Sequence, residues 1–311
     1  MTESAADSDK FGLTGLYQAA RRQGVPFGTE AAPAGGSVDS GGLRLHYADW
    51  GAPASPSVLL LHGFAQSGRS FDFVSLALCD RFRVVALDLR GHGDSDWSPS
   101  ADYRRSSHVA DVEAVIEELG LAPVAIVGLS LGGTIGYLLA ASRPQLVRAL
   151  VIVDIAPRVE PAGASRVRGF VEGRDSFGSL EEMVSSVRAF RPGRTDEQLL
   201  GSVLRNARRQ EDGTYTWKYD SAMRRPEARP KAGPEEEALL WDALKAIGCP
   251  TLVVRGADSD IVSTASMTEM IRSIPNARGV EVPSAGHLVP GDNPAGFIEV
   301  IGPFLSETCP T

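Results

Sequence analysis

Short apolar runs alternating with helix-period segments constrain this chain more than any other feature. Seven such runs follow one another: Leu43–Tyr47, Val58–Leu61, Val84–Leu87, Val124–Leu129, Leu150–Val153, Thr251–Val254 and Val280–Val282. Several are continuous and β-branched, as expected of strands covered on both faces. Between the third and fourth, Val109, Val112, Val115, Ile116 and Leu119 share one helical face. Asp111, Glu113, Glu117 and Glu118 take the other, and Gly120 stops the helix. The pattern predicts an α/β fold, a sheet with crossover helices.

The alternation breaks between residues 157 and 237, where the sequence reads as helical, Arg-rich and punctuated by Pro161, Gly163, Gly173, Pro192, Gly213, Pro226, Pro230 and Pro234. It resumes at Thr251. An insertion of this length between two strands of one sheet is read as a helical cap (157–237) on a core formed by 41–156 and 238–311. Residues 1–40 form an extension, with one amphipathic helix around Phe11 to Arg22. The Ala-, Gly- and Ser-rich stretch Ala31 to Gly42 reads as a flexible approach to the first strand.

Charge narrows the partners. The chain of 311 residues carries a net charge of −8, which argues against a nucleic-acid or anionic-membrane binder. The cap is relatively basic, with 15 Lys and Arg against 14 Asp and Glu. Arg208-Arg209 or Arg224-Arg225 could hold a substrate carboxylate, the alternative being that they coat solvated helices. The uncharged stretch Ala125–Ala141 is short for a membrane span and reads as buried core. Cys79, Cys249 and Cys309 are scattered, without metal-ligand spacing, and Met1–Lys10 lacks a basic n-region or apolar h-region. The expectation is a cytoplasmic protein without a metal. Oligomeric state leaves no mark in the pattern.

Three motifs carry chemistry. Gly128-Leu129-Ser130-Leu131-Gly132-Gly133 follows one apolar run and opens a helix of small apolar residues. This is a Gly-x-Ser-x-Gly turn in strand–turn–helix context, with Ser130 as nucleophile. His62-Gly63-Phe64 follows an early strand, so the Phe64 and Leu131 amides are candidates to hold an oxyanion. Ser284-Ala285-Gly286-His287 follows the last strand, and His287 is the one histidine placed late enough for the chain order Ser…Asp…His. A fourth motif, Asp88-Leu89-Arg90-Gly91-His92-Gly93-Asp94-Ser95, reads as structural: Gly turns tied down by Asp88, Arg90 and His92.

With these residues in place, the chain resembles α/β-hydrolase-fold enzymes from about Leu43 to Leu305. The resemblance implies a mostly parallel eight-stranded sheet, a helical cap over the pocket, and a Ser–His–acid triad needing no cofactor. Branches of that family with an Asp nucleophile are excluded by Ser130. Family members usually place the acid after the strand that here is Thr251–Val254, often three residues past a Gly. Neither Asp258 nor Asp260 has that spacing from Gly256. Asp260 is favoured, before the apolar pair Ile261-Val262. Asp154, after the strand that follows the nucleophile helix, and Asp258 stay open. The expected activity is hydrolysis of a small-molecule carboxylic ester through an acyl-enzyme. Carbon–carbon bond hydrolysis or lactone opening on the same triad, or a receptor-like ligand binder, are the alternatives.

Overall fold

The computed structural model describes residues 12–190, 193–225 and 233–310. In chain order the elements are α1 (Leu13–Arg22), β1 (Ala34–Ser40), β2 (Leu43–Trp50), β3 (Ser57–Leu61), α2 (Asp72–Leu78), β4 (Arg83–Leu87), α3 (Arg105–Glu118), β5 (Val124–Leu129), α4 (Leu131–Ser142) and β6 (Val147–Val153). Then come α5 (Pro161–Val171), β7 (Ser176–Phe177), α6 (Leu180–Phe190), α7 (Asp196–Asn206), β8 (Ala207–Arg209), β9 (Tyr215–Trp217), α8 (Pro234–Lys245), β10 (Thr251–Gly256), α9 (Thr264–Ser273), β11 (Ala277–Val282) and α10 (Pro294–Thr308).

Eight strands form one sheet in the order β1-β2-β4-β3-β5-β6-β10-β11. β1 and β2 pair antiparallel to their neighbours, and the remaining strands run parallel. All seven expected runs are strands. The eighth, β1, lies within Ala31–Gly42, which the sequence suggested was a flexible approach. It pairs with β2 around Gly41-Gly42, both at positive φ, the two-residue turn that matches strand twist.

The strand period of two divides the core. Val58, Leu60, Val84, Ala86, Ala125 and Val127 face one layer. Leu59, Leu61, Val85, Leu87, Val124 and Ile126 face the other. Truncating a side chain such as Leu60, 0% exposed, to Ala is expected to cost about 2–5 kcal/mol. α4 is buried almost all round, so it is the central crossover behind the sheet.

α3 carries the expected apolar stripe, but Asp111 is buried, not on a wet face. Arg90 and Ser40 satisfy both of its oxygens. The segment between β6 and α8 holds helices and also a three-stranded antiparallel sheet, β7-β9-β8, whose strands are too short to show a period. It has its own apolar cluster, including Phe177, Met183, Leu199, Val203 and Trp217. Pro161 and Pro234 open α5 and α8 at positions where a missing N–H costs nothing. α8 crosses the expected border at 237, and Leu240 and Leu244 pack into the main core. Pro192, Pro226 and Pro230 lie outside the described residues. Among the described residues no helix is long and apolar enough to cross a membrane.

Candidate active site

Ser130 sits between β5 and α4 at φ 51°, ψ −112°, a strained conformation for a residue with a side chain. Its amide donates to Val153 O at 2.9 Å, anchoring the turn to the next strand. The flanking glycines are steric requirements. A Cβ on Gly128 would lie 2.4 Å from Gly132 O, and one on Gly132 would lie 2.1 Å from Leu61 O. Strand, turn and helix close only because those positions carry no side chain.

The His62-Gly63-Phe64 loop lies against this turn. Gly132 N–H donates to His62 O at 3.2 Å, and a Cβ on Gly63 would be 3.5 Å from Ser130 Cβ. His62 is fully buried. Its Nδ1 meets Gly63 O at 2.8 Å and its Nε2 accepts Leu89 N–H at 3.0 Å. That pair of partners fixes the neutral Nδ1–H form, and burial holds the imidazole below its usual pKa. His62 thus braces the loop that presents Phe64. Leu131 opens α4, where the first amides have no intrahelical acceptor.

His287 Nδ1 meets Asp154 Oδ2 at 2.9 Å, with both side chains buried. Asp154 follows β6 at φ 49°. Its carboxylate also accepts Gly256 N–H at 3.0 Å and the Ser259 hydroxyl at 2.6 Å. Asp260, the acid favoured from sequence, points elsewhere: Arg166 of α5 grips it with two bonds, at 2.5 and 2.7 Å. Asp258 is exposed. The physical reason is strand order. β6 and β10 are neighbours, so both strand ends approach His287, and the sharp turn at Asp154 brings its carboxylate under the imidazole.

Ser130 and His287 line one cavity with Phe64, Phe170, Phe190 and Trp217. Arg194 also lines it, and is held by Asp292 at 2.7 and 2.9 Å. None of the arginines singled out from sequence lines this cavity. Arg224 pairs with Asp175 and the Tyr219 hydroxyl, Arg208 bonds Gly93 O and lies over Trp97, and Arg209 and Arg225 are exposed.

The sequence model of the alpha/beta hydrolase fold matches residues 56–294. The chain belongs to the α/β-hydrolase fold family. It is 34% identical over 254 residues to a 3-hydroxybutyrate-oligomer hydrolase of Cupriavidus necator, covering 78% of this chain and 87% of that one. A 2-(acetamidomethylene)succinate hydrolase of Mesorhizobium japonicum is 30% identical, over 86% of this chain and 94% of its own. A solved esterase of Mycobacterium tuberculosis superposes with a TM-score of 0.77 at 32% identity, covering 96% of this chain and 99% of the other. The fold and these relatives make the chain a hydrolase.

In this hydrolase the Asp88–Ser95 motif docks the insertion onto the core. Gly93 N–H donates to Lys218 O at 2.7 Å and Asp220 N–H to Gly91 O at 2.9 Å. Burial alone would raise the Asp88 carboxyl. It lies below its usual value because His46 Nδ1 and the amides of Asp94 and Gly68 hold the anion. His92 is buried against Phe64, His62 and Tyr219, and burial pushes its pKa well down. Arg90 forms a two-bond pair with buried Asp111. The motif is a frame, as its sequence suggested.

Proposed function

We propose that this hydrolase cleaves carboxylic esters with short, apolar acyl groups, through an acyl-enzyme on Ser130. Ser130 Oγ attacks the ester carbonyl and His287 Nε2 takes its proton. Asp154 fixes the Nδ1–H tautomer and stabilises the imidazolium. The Phe64 and Leu131 amides hold the oxyanion. The proton then passes from His287 to the leaving alkoxide, and water activated by the same imidazole releases the acid. The observation that carries the reading is the buried Asp154–His287 pair at 2.9 Å, whose imidazole lines the same cavity as Ser130.

Cavity chemistry supports the substrate class. Its walls are mainly aromatic and aliphatic, and its volume is small, approximately 70 Å³. That suits an acyl chain of a few carbons. The similarity to the succinate-derivative hydrolase supports a competing reading, in which Arg194 at the cavity wall meets a substrate carboxylate. The Asp292 pairing of Arg194 favours the neutral ester.

The test is a chain-length panel of nitrophenyl esters, with dienoate and anionic amide substrates alongside. kcat/KM should peak at short neutral acyl groups. Ser130→Ala should lose roughly 10³-fold or more and should not react with a fluorophosphonate probe. Full labelling of Ser130→Ala would remove the nucleophile assignment. A preference for the anionic amide would give the substrate to the second reading.

A further inference from the structure

A second cavity, of approximately 690 Å³, is lined by α1, α2 and α7, and Ser130 has no part in it. Its size is within the range of small-molecule sites, about 300–1,000 Å³. α7 shows how it arises. Leu199 and Val203 fill the apolar cluster of the insertion. The next stripe around the helix, Leu200, Gly201, Leu204 and Arg205, lines the cavity. Leu16 of α1 and Phe73 of α2 add further apolar wall.

Four arginines line this cavity, and three of them are paired. Arg22 donates to Glu197 at 3.0 Å, Arg69 to Asp72 at 3.2 Å, and Arg194 is held by Asp292. Arg205 differs. Among the described residues its guanidinium makes no hydrogen bond or ion pair; only its backbone carbonyl is engaged, by the Ser67 hydroxyl. Burial pushes its pKa down to about 10, with Asp72 opposing and Arg69 and Arg194 adding to the fall, so the group is charged at neutral pH. A half-buried cation without a partner favours an anion, and its planar fork matches a carboxylate. We propose that this cavity binds a monocarboxylic acid with an apolar body, its carboxylate on Arg205, and that the bound acid slows hydrolysis through Arg194.

Arg194 lines both cavities. It gives Asp292 Oδ1 two bonds, at 2.7 and 2.9 Å, and Asp292 Oδ2 accepts the Gly286 amide at 3.1 Å. Gly286 directly precedes His287. Arg194 and Arg205 are close enough to repel each other, so an anion on Arg205 also attracts Arg194 and competes with Asp292 for it. The loop that carries the base then loses a fixed neighbour. Turnover falls without competition for the ester.

Binding stands apart from the ester reading, and only the rate measurement uses it. The experiment titrates octanoate, acetate and octanamide into the full chain by calorimetry, in the parent, Arg205→Met and Leu200→Trp, with thermal midpoints alongside. Octanoate should bind at least about tenfold tighter than acetate, which lacks the apolar body, or octanamide, which lacks the charge. Arg205→Met should weaken octanoate at least about tenfold while basal kcat stays within about twofold. Leu200→Trp takes up room and leaves every charge in place. It keeps the test decisive where Arg205→Met, which removes a cation from beside Asp72, folds poorly. With a short nitrophenyl ester, saturating octanoate should lower kcat about threefold or more with KM within about twofold, and Arg205→Met should abolish the effect. Octanoate binding unchanged in both variants would overturn the proposal. So would a rise in KM alone, which puts the acid in the cavity of Ser130, or a full kcat under saturating octanoate, which removes the link through Arg194. An inactive parent that still binds octanoate through Arg205 would unseat the ester reading and keep the site.

Discussion

Two loops at adjacent strand ends, after β6 and after β10, each carry an aspartate that the sequence offers as a partner for His287, and their settings are opposite. Asp154 is fully covered, and every group that meets its carboxylate is a donor placed by the sheet: an amide, a hydroxyl and the imidazole. Asp260 is 42% exposed and shares its carboxylate with Arg166 of the insertion. The first arrangement keeps an anion aimed at one partner in a water-poor place, where its effect on the imidazolium is strong. The second commits the anion to a cation at the water's edge. The contrast teaches that a place after a strand beside the histidine loop does not aim a carboxylate at the imidazole; the surrounding donors do.

The largest expected effect breaks or keeps this contrast directly. Asp154→Asn retains shape and the Gly256 contact but removes the charge that stabilises imidazolium and invites the wrong tautomer. kcat should fall by roughly 10²- to 10⁴-fold with the fold intact by circular dichroism. Asp258→Asn should leave kcat nearly unchanged. Collapse of Asp260→Asn with a normal Asp154→Asn would invert the comparison.

Much of this site was legible because its constraints are local. Gly128 and Gly132 are required by contacts within the turn itself, and the β-branched runs declare their strands. Which carboxylate meets His287 was not legible, because it depends on which strand ends become neighbours. β6 and β10 pair across about a hundred residues, and the positive φ at Asp154 leaves no mark in Val153-Asp154-Ile155. The Arg166 partner of Asp260 is 94 residues away, so the sequence could not show that this carboxylate is already occupied. β1 was missed because Ala, Gly and Ser are poor strand formers. The Gly41-Gly42 pair was a hairpin signal that could have found it.

The histidines sharpen the same contrast at a smaller scale, between an imidazole given a carboxylate and imidazoles denied one. His108 is buried on α3 with no partner at Nδ1, and burial, with Arg90 adding to it, pushes its pKa down to about 3. A folded pKa below the unfolded value of about 6.5 means the unfolded chain binds the proton first. This contribution to stability is fully present above pH 6.5 and shrinks as pH falls toward 3. The linkage slope makes the loss about 2 kcal/mol at pH 5. Urea midpoints at pH 7.5 and 5.0 test it: in His108→Gln the drop between the two should be smaller by that amount. An unchanged drop would mean that the buried imidazole accepts its proton within the fold.

The smallest expected effect belongs to the Arg166–Asp260 pair. Both side chains are partly exposed, 33% and 42%, and pairs in that setting contribute less than about 1 kcal/mol. Arg166 has other support, since it lies 4.8 Å from the Phe190 ring centre and donates to Phe190 O. The start of the insertion is also stitched to the same loop by Glu160 N–H to Ile261 O at 2.9 Å. Asp260→Asn should therefore lower stability by under about 1 kcal/mol and hold kcat within about threefold. The sensitive readout is KM, because α5 brings Val167, Phe170 and Val171 to the cavity wall. Loosening that helix should raise KM a few-fold for short esters while leaving the acylation chemistry alone. A double-mutant cycle with Arg166→Gln separates the pair from its surroundings. Coupling in KM and stability, with none in kcat, is the result expected of a contact that seats the insertion; coupling in kcat would return Asp260 to the chemistry.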